Sequence, residues 1–172
     1  LVGEVVPNQI SVGGIQRVLQ NLLNERVSIR DLSTILEGIS EACAFTRNVT
    51  QLTEHVRSRL ARQISEQNST EDNFIPLVTL SAEWEQIFSD SILDQGEDKQ
   101  LSMAPSQLQR FIGAVRTTLD ELADKEDPPV VLTSPTARPF VRSIIERFRP
   151  ATSIMSQNEL HPKAKIKTLG QI

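Results

Sequence analysis

The sequence predicts a mixed fold, in which an N-terminal all-α helical subdomain is followed by a small α/β subdomain with a βαβ unit. In residues 1–66, apolar side chains recur at intervals of three and four, which is the spacing of one face of a helix. From residue 74 onward, short apolar runs of strand length alternate with helical stretches. Between them, residues 67–73 have the composition of a polar linker. We therefore expect subdomains at 1–66 and 74–172.

The first two predicted helices are amphipathic and joined by a tight turn. Ile15, Val18 and Leu22, together with Leu19 and Leu23, form one apolar stripe, and the chain breaks at residues 25–27. Ser28 is predicted to begin the second helix, because the Asp31 carboxylate, three residues on, can reach back to its amide. The second stripe is Ile29, Leu32, Ile35, Leu36 and Ile39. Two stripes this close in sequence indicate a packing and recognition module.

The remaining helices and strands follow from the same patterns. A third helix is predicted from about residue 48 to Ile64. Residues 74–80 read as a strand in which Pro76 favours an edge or an early position. A helix from Ala82 to about Leu93 and a polar loop over residues 94–100 come next. A longer helix begins near Pro105 and ends within residues 124–129, with the apolar stripe Leu108, Phe111, Ile112, Val115, Leu119 and Leu122.

The last third of the chain predicts a parallel strand–helix–strand unit. Residues 130–132 form a short apolar strand, and residues 152–155 form the next one, with a helix between them. Either Ser134 or Thr136 caps that helix, and Thr136 is favoured because Pro139 deep in a helix would cost a backbone hydrogen bond. Residues 165–169 are expected to form a final edge strand with its lysines facing water.

Composition narrows the class of protein. The single cysteine, Cys43, excludes an internal disulfide framework and indicates a reducing compartment. The chain begins at Leu1 instead of Met, so we expect it to be a piece of something longer. Its net charge of −4 conceals a balance of −9 over residues 69–129 and of +5 over residues 130–172. Such an asymmetry indicates either partners that are recognised partly by charge, or charged surfaces that face solvent or each other.

Nucleic-acid binding and catalysis are both disfavoured by the sequence. Three short helices resemble a helix-turn-helix, but the helical subdomain is electrically neutral, whereas a DNA-binding domain usually has a basic excess because phosphate contacts supply much of its affinity. His55 and His161 have no partner at metal-ligand spacing, and no catalytic, cofactor or metal site is predicted. The turn at residues 132–135 is the one place where a strand ends at a helix N-terminus. It could hold an anion, or its hydroxyls could simply cap the helix.

Two ordered blocks of motifs resemble the export-gate family of type III secretion systems. The first block is GIQRVLQNLL at residues 14–23 with VSIRDL at 27–32 and TILE at 34–37. The second is VLTSP at 131–135, RPFVR at 138–142, IERF at 145–148, MSQNE at 155–159 and KTLG at 167–170. The flagellar branch of the family is the closer match, and the virulence branch shares the pattern.

This resemblance implies a function that composition cannot show. The family assembles a nine-subunit ring on the cytoplasmic side of the bacterial inner membrane, has no known catalytic site, and receives export chaperones and substrates. This chain would hold the third and fourth of four cytosolic subdomains, whereas the chaperone groove and the membrane half lie in segments absent here. We therefore expect other copies of the protein, and other export-apparatus proteins, as partners. Ring contacts are predicted at the polar turn of Arg26, Arg30 and Asp31.

Overall fold

The computed structural model describes residues 10–96, 98–124 and 127–172, and the chain divides between Ile64 and Ser65 into two units. The described part of the first unit consists of helices and turns, and the second unit combines helices with a parallel sheet. The predicted fold class is therefore confirmed. The proposed limits of the subdomains, 1–66 and 74–172 with a linker at 67–73, stay a prediction.

The first unit begins with helices α1 (Val12–Asn24), α2 (Leu32–Ala42) and α3 (Val49–Arg59). Ser11 caps α1 by accepting a hydrogen bond from the Gly14 amide, and Asn48 caps α3 by accepting one from Gln51. Gly38 lies at the contact between α2 and α3, where the helices pack so closely that an added Cβ would be 3.2 Å from Val56 Cγ2. The core of this unit is aliphatic and includes Val18, Leu22, Ile35, Ile39, Leu52 and Val56.

The predicted third helix is two helices in the structure. α3 ends at Arg59, and α4 (Ala61–Gln67) follows after a break at Leu60, whose amide donates to the carbonyls of both Val56 and Arg57. Leu60 and Ile64 are buried all the same, so the apolar face continues through the break and periodicity could not reveal it. Helix α4 extends to Gln67, the first residue of the predicted polar linker, and Ser65 within this helix is buried.

The second unit is built on a four-stranded sheet with the order β5-β4-β1-β6, in which each pair of neighbours is parallel. Its strands are β1 (Ile75–Thr79), β4 (Val130–Thr133), β5 (Ile154–Ser156) and β6 (Ile166–Gln171). Helix α7 (Arg138–Ile145) connects β4 to β5, as the strand–helix–strand prediction requires. β6 lies at one edge of the sheet with exposed lysines, also as predicted.

Pro76 lies in a central strand, at its second residue, and not at an edge. The Ile75 amide donates to Lys165, beside β6, so the nitrogen of Pro76 faces the opposite side, toward β4. Pairing with β4 starts only at Leu77, opposite Val130. The missing N–H of Pro76 therefore costs no ladder hydrogen bond.

Helices α5 (Ala82–Ser91) and α6 (Pro105–Glu121) complete the second unit, together with a hairpin of β2 (Ile92–Gln95) and β3 (Asp98–Leu101). Phe111 of α6 contacts Trp84 and Phe88 of α5 edge-on, with ring centroids 5.2 and 4.9 Å apart. The prediction of a polar loop at residues 94–100 is wrong for residues 94, 95 and 98–100, because antiparallel backbone pairing holds these mostly exposed residues in strands. Residue 97 lies outside the described residues. Helix α6 ends at Glu121 with Leu122 as its C-cap residue, before the segment 124–129 in which the sequence predicts its end. Residues 125 and 126 of that segment lie outside the described residues.

The predicted cap of α7 is also wrong. Its N-cap residue is Ala137, which has no side chain to cap with, and Pro139 lies within the first two helical positions, where its missing N–H is harmless. Ser134 instead closes the preceding turn, since its carbonyl accepts from Arg138 and its hydroxyl accepts from Ala137. Thr136 belongs to that turn and lies outside the helix.

Candidate interaction surfaces

The turn after α1 carries the first candidate residue, Arg26. The Val27 amide donates to the Leu22 carbonyl and the Arg26 amide donates to the Leu23 carbonyl, both at 2.9 Å. This pair of hydrogen bonds defines a Schellman motif, whose central residue must be left-handed. Arg26 has a φ of 62°, where glycine is usual because it lacks a Cβ. Arg26 therefore occupies a backbone position that favours glycine, and its side chain is exposed.

Asp31, the second candidate, is the N-cap of α2. Its carboxylate accepts hydrogen bonds from the Thr34 amide at 3.2 Å and from the Thr34 hydroxyl at 2.7 Å. The Thr34 hydroxyl is the main cause that lowers the pKa of Asp31, followed by the amide. The prediction that Ser28 begins this helix is wrong: its hydroxyl accepts from the Arg30 amide, and the helix starts after Asp31, the later of two good cap formers.

Arg26, Arg30 and Asp31 are all exposed in the short segment between α1 and α2, and we call these three residues the corner. Two leucines border it, Leu23 with 47% of its surface exposed and Leu32 with 44%. Both belong to the apolar stripes that the sequence predicts as buried. The corner therefore combines charge with exposed aliphatic surface, which is a composition suited to a protein contact.

The turn at residues 132–135 already holds a carboxylate of the protein itself. Glu85 Oε1 accepts hydrogen bonds from the Thr133 hydroxyl at 2.9 Å and from the Ser134 amide at 3.0 Å. These are the donors that a bound phosphate would use at such a turn. The anion-binding position suggested by the sequence is therefore engaged by a side chain from α5. No spacing rule could have found this pair, because Glu85 and Ser134 are far apart in the sequence.

A buried ionic network, which the sequence did not predict, lies near β5. Arg138, at the first position of α7, lies with its Nε 3.7 Å from Glu159 Oε2, and both side chains are almost fully buried. Ser65 joins the network by donating to the Glu159 carbonyl at 2.8 Å and accepting from the His161 amide at 2.9 Å. Sequence patterns treat charged residues as surface residues, so they give no signal for such a pair.

The two histidines and the cysteine lie in surroundings that are typical of residues with a structural role. His55 packs edge-on against Phe45, with centroids 5.6 Å apart, and its Nε2 lies 3.6 Å from Glu41 Oε2. His161 Nδ1 accepts from the Lys163 amide at 3.2 Å, and Cys43 is buried. Within the described ranges, no group of three or more His, Cys, Asp or Glu residues is arranged to hold a metal ion. Nor does any described helix have the length and apolar character needed to cross a membrane.

Solved structures share this two-unit fold. The chain superposes on the nonameric SctV-C of enteropathogenic Escherichia coli (EPEC) with a TM-score of 0.84 and 26% identity, covering 98% of this chain and 51% of the other. It superposes on the Chlamydia pneumoniae structure of a CdsV and CdsO complex with a TM-score of 0.85 and 30% identity, covering 99% and 49%. The fold is thus that of C-terminal domains of secretion proteins.

The sequence comparisons identify the family. The family profile described as FHIPEP matches residues 1–165. The flagellar biosynthesis protein FlhA of Caulobacter vibrioides is 53% identical over 172 residues, which are 100% of this chain and 25% of that protein. The low calcium response locus protein D of Yersinia pestis is 29% identical over 99% of this chain and 25% of its own length. The chain belongs to the FHIPEP family and spans about a quarter of the length of these relatives.

Proposed function

We propose that this chain is part of the cytosolic domain of a flagellar type III protein-export gate component, and that it acts by protein–protein contacts. The observation that carries the proposal is the 53% identity to Caulobacter FlhA along the whole chain. Identity to the Yersinia protein is 29% over nearly the same span, which favours the flagellar branch over a virulence paralogue. In this proposal the chain lies on the cytoplasmic side of the inner membrane and is not an enzyme.

The first contact in this proposal is with other copies of the same protein in a nonameric ring. A related domain, SctV-C, is described as nonameric, which supports the ring. We assign part of the contact to the corner, because Arg26 and Arg30 are exposed there beside the partly exposed Leu23 and Leu32. One exposed ion pair contributes only about 0.2–1 kcal/mol, so the corner acts through repetition around the ring.

Further partners follow from the same assignment. Export chaperones and substrates dock mainly through subdomains that precede this chain, and other export-apparatus proteins dock on the ring. A related protein, CdsV, is described in a complex with CdsO, which supports contacts of the second kind. Neither nucleic acid nor cofactor takes part, and the membrane is contacted only by the N-terminal half of the full protein.

A small ligand-binding α/β domain is the competing function, and one observation weighs against it. The only turn that the sequence offered for an anion has its Thr133 hydroxyl and Ser134 amide bonded to Glu85. A ligand would have to displace an intramolecular carboxylate that is already held at a high effective concentration.

The experiment is charge reversal of the corner in the full-length protein. R26E/R30E should reduce flagellar export and motility while leaving the cellular amount of the protein unchanged. R17E is the matched control, because Arg17 is an exposed arginine of α1 outside the corner. Normal export by R26E/R30E, or an equal defect in R17E, would contradict the assignment of the corner.

A further inference from the structure

Helix α6 is apolar over a wider face than the core of the second unit covers. Phe111, Val115 and Leu119 are buried as predicted. Leu108 and Ile112 belong to the same predicted stripe but are only half-buried. Part of the apolar face of α6 is therefore left in contact with solvent.

This face forms one wall of a groove with a cavity volume of about 430 Å³. Its apolar lining consists of Leu101, Met103, Leu108, Ile112, Ile144 and Phe148. Along α6 the lining positions are 108, 112 and 116, which is one row at intervals of four. At 1.5 Å per residue, such a row is roughly 12 Å long, or about two helical turns. This wall is thus long enough for two turns of a partner helix to lie along it.

Ser143 and two arginines, Arg116 and Arg147, complete the lining of this groove. Both are exposed, and Arg116 lies over the Phe148 ring at 5.0 Å. Within the described part of the chain, neither has a carboxylate at ion-pair distance. The neighbouring arginines differ, because Arg110 pairs with Glu83, Arg142 with Glu146 and Arg149 with Asp120. The charges of Arg116 and Arg147 are therefore not neutralised by a carboxylate of the described residues.

We propose that this groove binds an acidic amphipathic helix of a partner protein. Apolar side chains of that helix, spaced at i, i+4 and i+7, would fill the groove, and carboxylates flanking them would meet Arg116 and Arg147. Charge complementarity selects this occupant, because an apolar groove whose lining includes two arginines without a carboxylate partner favours an anionic helix and disfavours a basic one. The inference goes beyond the proposed function, which places chaperone docking on absent subdomains.

The test uses the 172-residue chain and two synthetic helical peptides with identical apolar positions, one flanked by glutamates and the other by lysines. Methyl NMR signals of Met103, Leu108 and Ile112 should shift saturably with the acidic peptide. The lysine peptide should bind at least about tenfold more weakly, and the difference should shrink as salt screens the charges.

Three variants make the test specific. R116E/R147E should weaken binding of the acidic peptide at least about tenfold and reverse the preference between the peptides. R110E is the matched control, because it makes the same change on α6 outside the groove lining, and it should alter affinity less than about twofold. S143W should block binding without any change of charge, because Ser143 lines the groove and its side chain is exposed.

Several outcomes would overturn the proposal. These are equal binding of both peptides, shifts centred outside the groove, and no saturable shift up to about 1 mM peptide. Vesicles containing phosphatidylglycerol provide a further arm. If they perturb the groove methyl signals and the acidic peptide does not, the surface binds membrane and the proposal is wrong. Because every measurement is made on the isolated chain, the result does not depend on whether the chain forms an export ring.

Discussion

Arg138 and Glu159 form a buried ion pair that joins the start of α7 to the turn after β5. The Nε of Arg138 lies 3.7 Å from Glu159 Oε2, with 2% and 1% of the two side chains exposed. Arg138 also donates to the Ile154 carbonyl at 2.9 Å, and Glu159 Oε1 accepts from the Ser156 amide at 3.2 Å. The pair therefore ties the crossover helix to the strand that it leads into.

Removing the Glu159 carboxylate should leave the buried Arg138 guanidinium without the negative charge that faces it. We expect E159A to lower the free energy of unfolding by about 3 kcal/mol, because breaking one side of a buried pair is strongly destabilising. D120A is the control, because it removes the exposed Asp120–Arg149 pair and should cost less than about 1 kcal/mol. Urea unfolding of both variants checks the prediction, and a similar cost for the two would contradict it.

The left-handed backbone of Arg26 predicts that glycine is the more stable residue at this position. R26G and R26A both remove the side chain, so their difference isolates the backbone. We expect R26G to be more stable than R26A by roughly 1 kcal/mol, because alanine has a Cβ that clashes at positive φ. Thermal unfolding of the two variants measures the difference. Equal stabilities would mean that the turn does not hold a left-handed residue in solution.

The capping role of Asp31 predicts a pH dependence. Hydrogen bonds from Thr34 lower the pKa of the carboxyl below its usual 3.8, so the folded state favours the ionised form. Asp31 therefore contributes stability above that pH, and the contribution is lost as the pH falls through the lowered pKa. We expect D31A to be less stable than the unaltered chain near neutral pH, with the gap closing in acid. Asparagine caps a helix without titrating, so D31N should remain more stable than D31A at low pH.

Removing the Glu85 carboxylate should leave a vacant anion-binding position at the turn of residues 132–135. E85A should cost about 1–3 kcal/mol, because the buried Thr133 hydroxyl and the Ser134 amide lose their acceptor. Inorganic phosphate should then raise the melting temperature of E85A more than that of the unaltered chain, because it binds the two freed donors. E83A, a change at an exposed neighbour, should show no such gain. The same phosphate response in all three proteins would refute this account of the turn.

Much of the fold could be predicted because its signals are local. Pro105 marks the first turn of α6, and the short apolar runs at 130–132 and 152–155 marked two neighbouring parallel strands. The β2–β3 hairpin could not be predicted, because Asp94, Lys99 and Gln100 have low strand propensity and backbone pairing alone orders them. The left-handed residue at the end of α1 could not be predicted, because this position is occupied by Arg26 and not by the glycine that usually marks it.

The candidate surfaces were less predictable than the fold. Arg26, Arg30 and Asp31 could be named because they interrupt two apolar stripes, but the exposure of Leu23 and Leu32 depends on tertiary packing. The same holds for the groove beside α6, where the sequence predicts Leu108 and Ile112 as core residues and the structure leaves them half-covered. Arg138 and Glu159 meet only because α7 leads into β5, which a reading of local patterns does not capture.

The most direct test of the central claim, that the corner contacts a neighbouring copy, is site-specific photo-crosslinking in the full-length protein in native membranes. A benzophenone amino acid replaces Arg30 in one variant and the control residue Arg17 in another. We expect a ladder of covalent self-oligomers from position 30 and none, or far less, from position 17. Absence of self-crosslinks from position 30, or equal ladders from both positions, would contradict it.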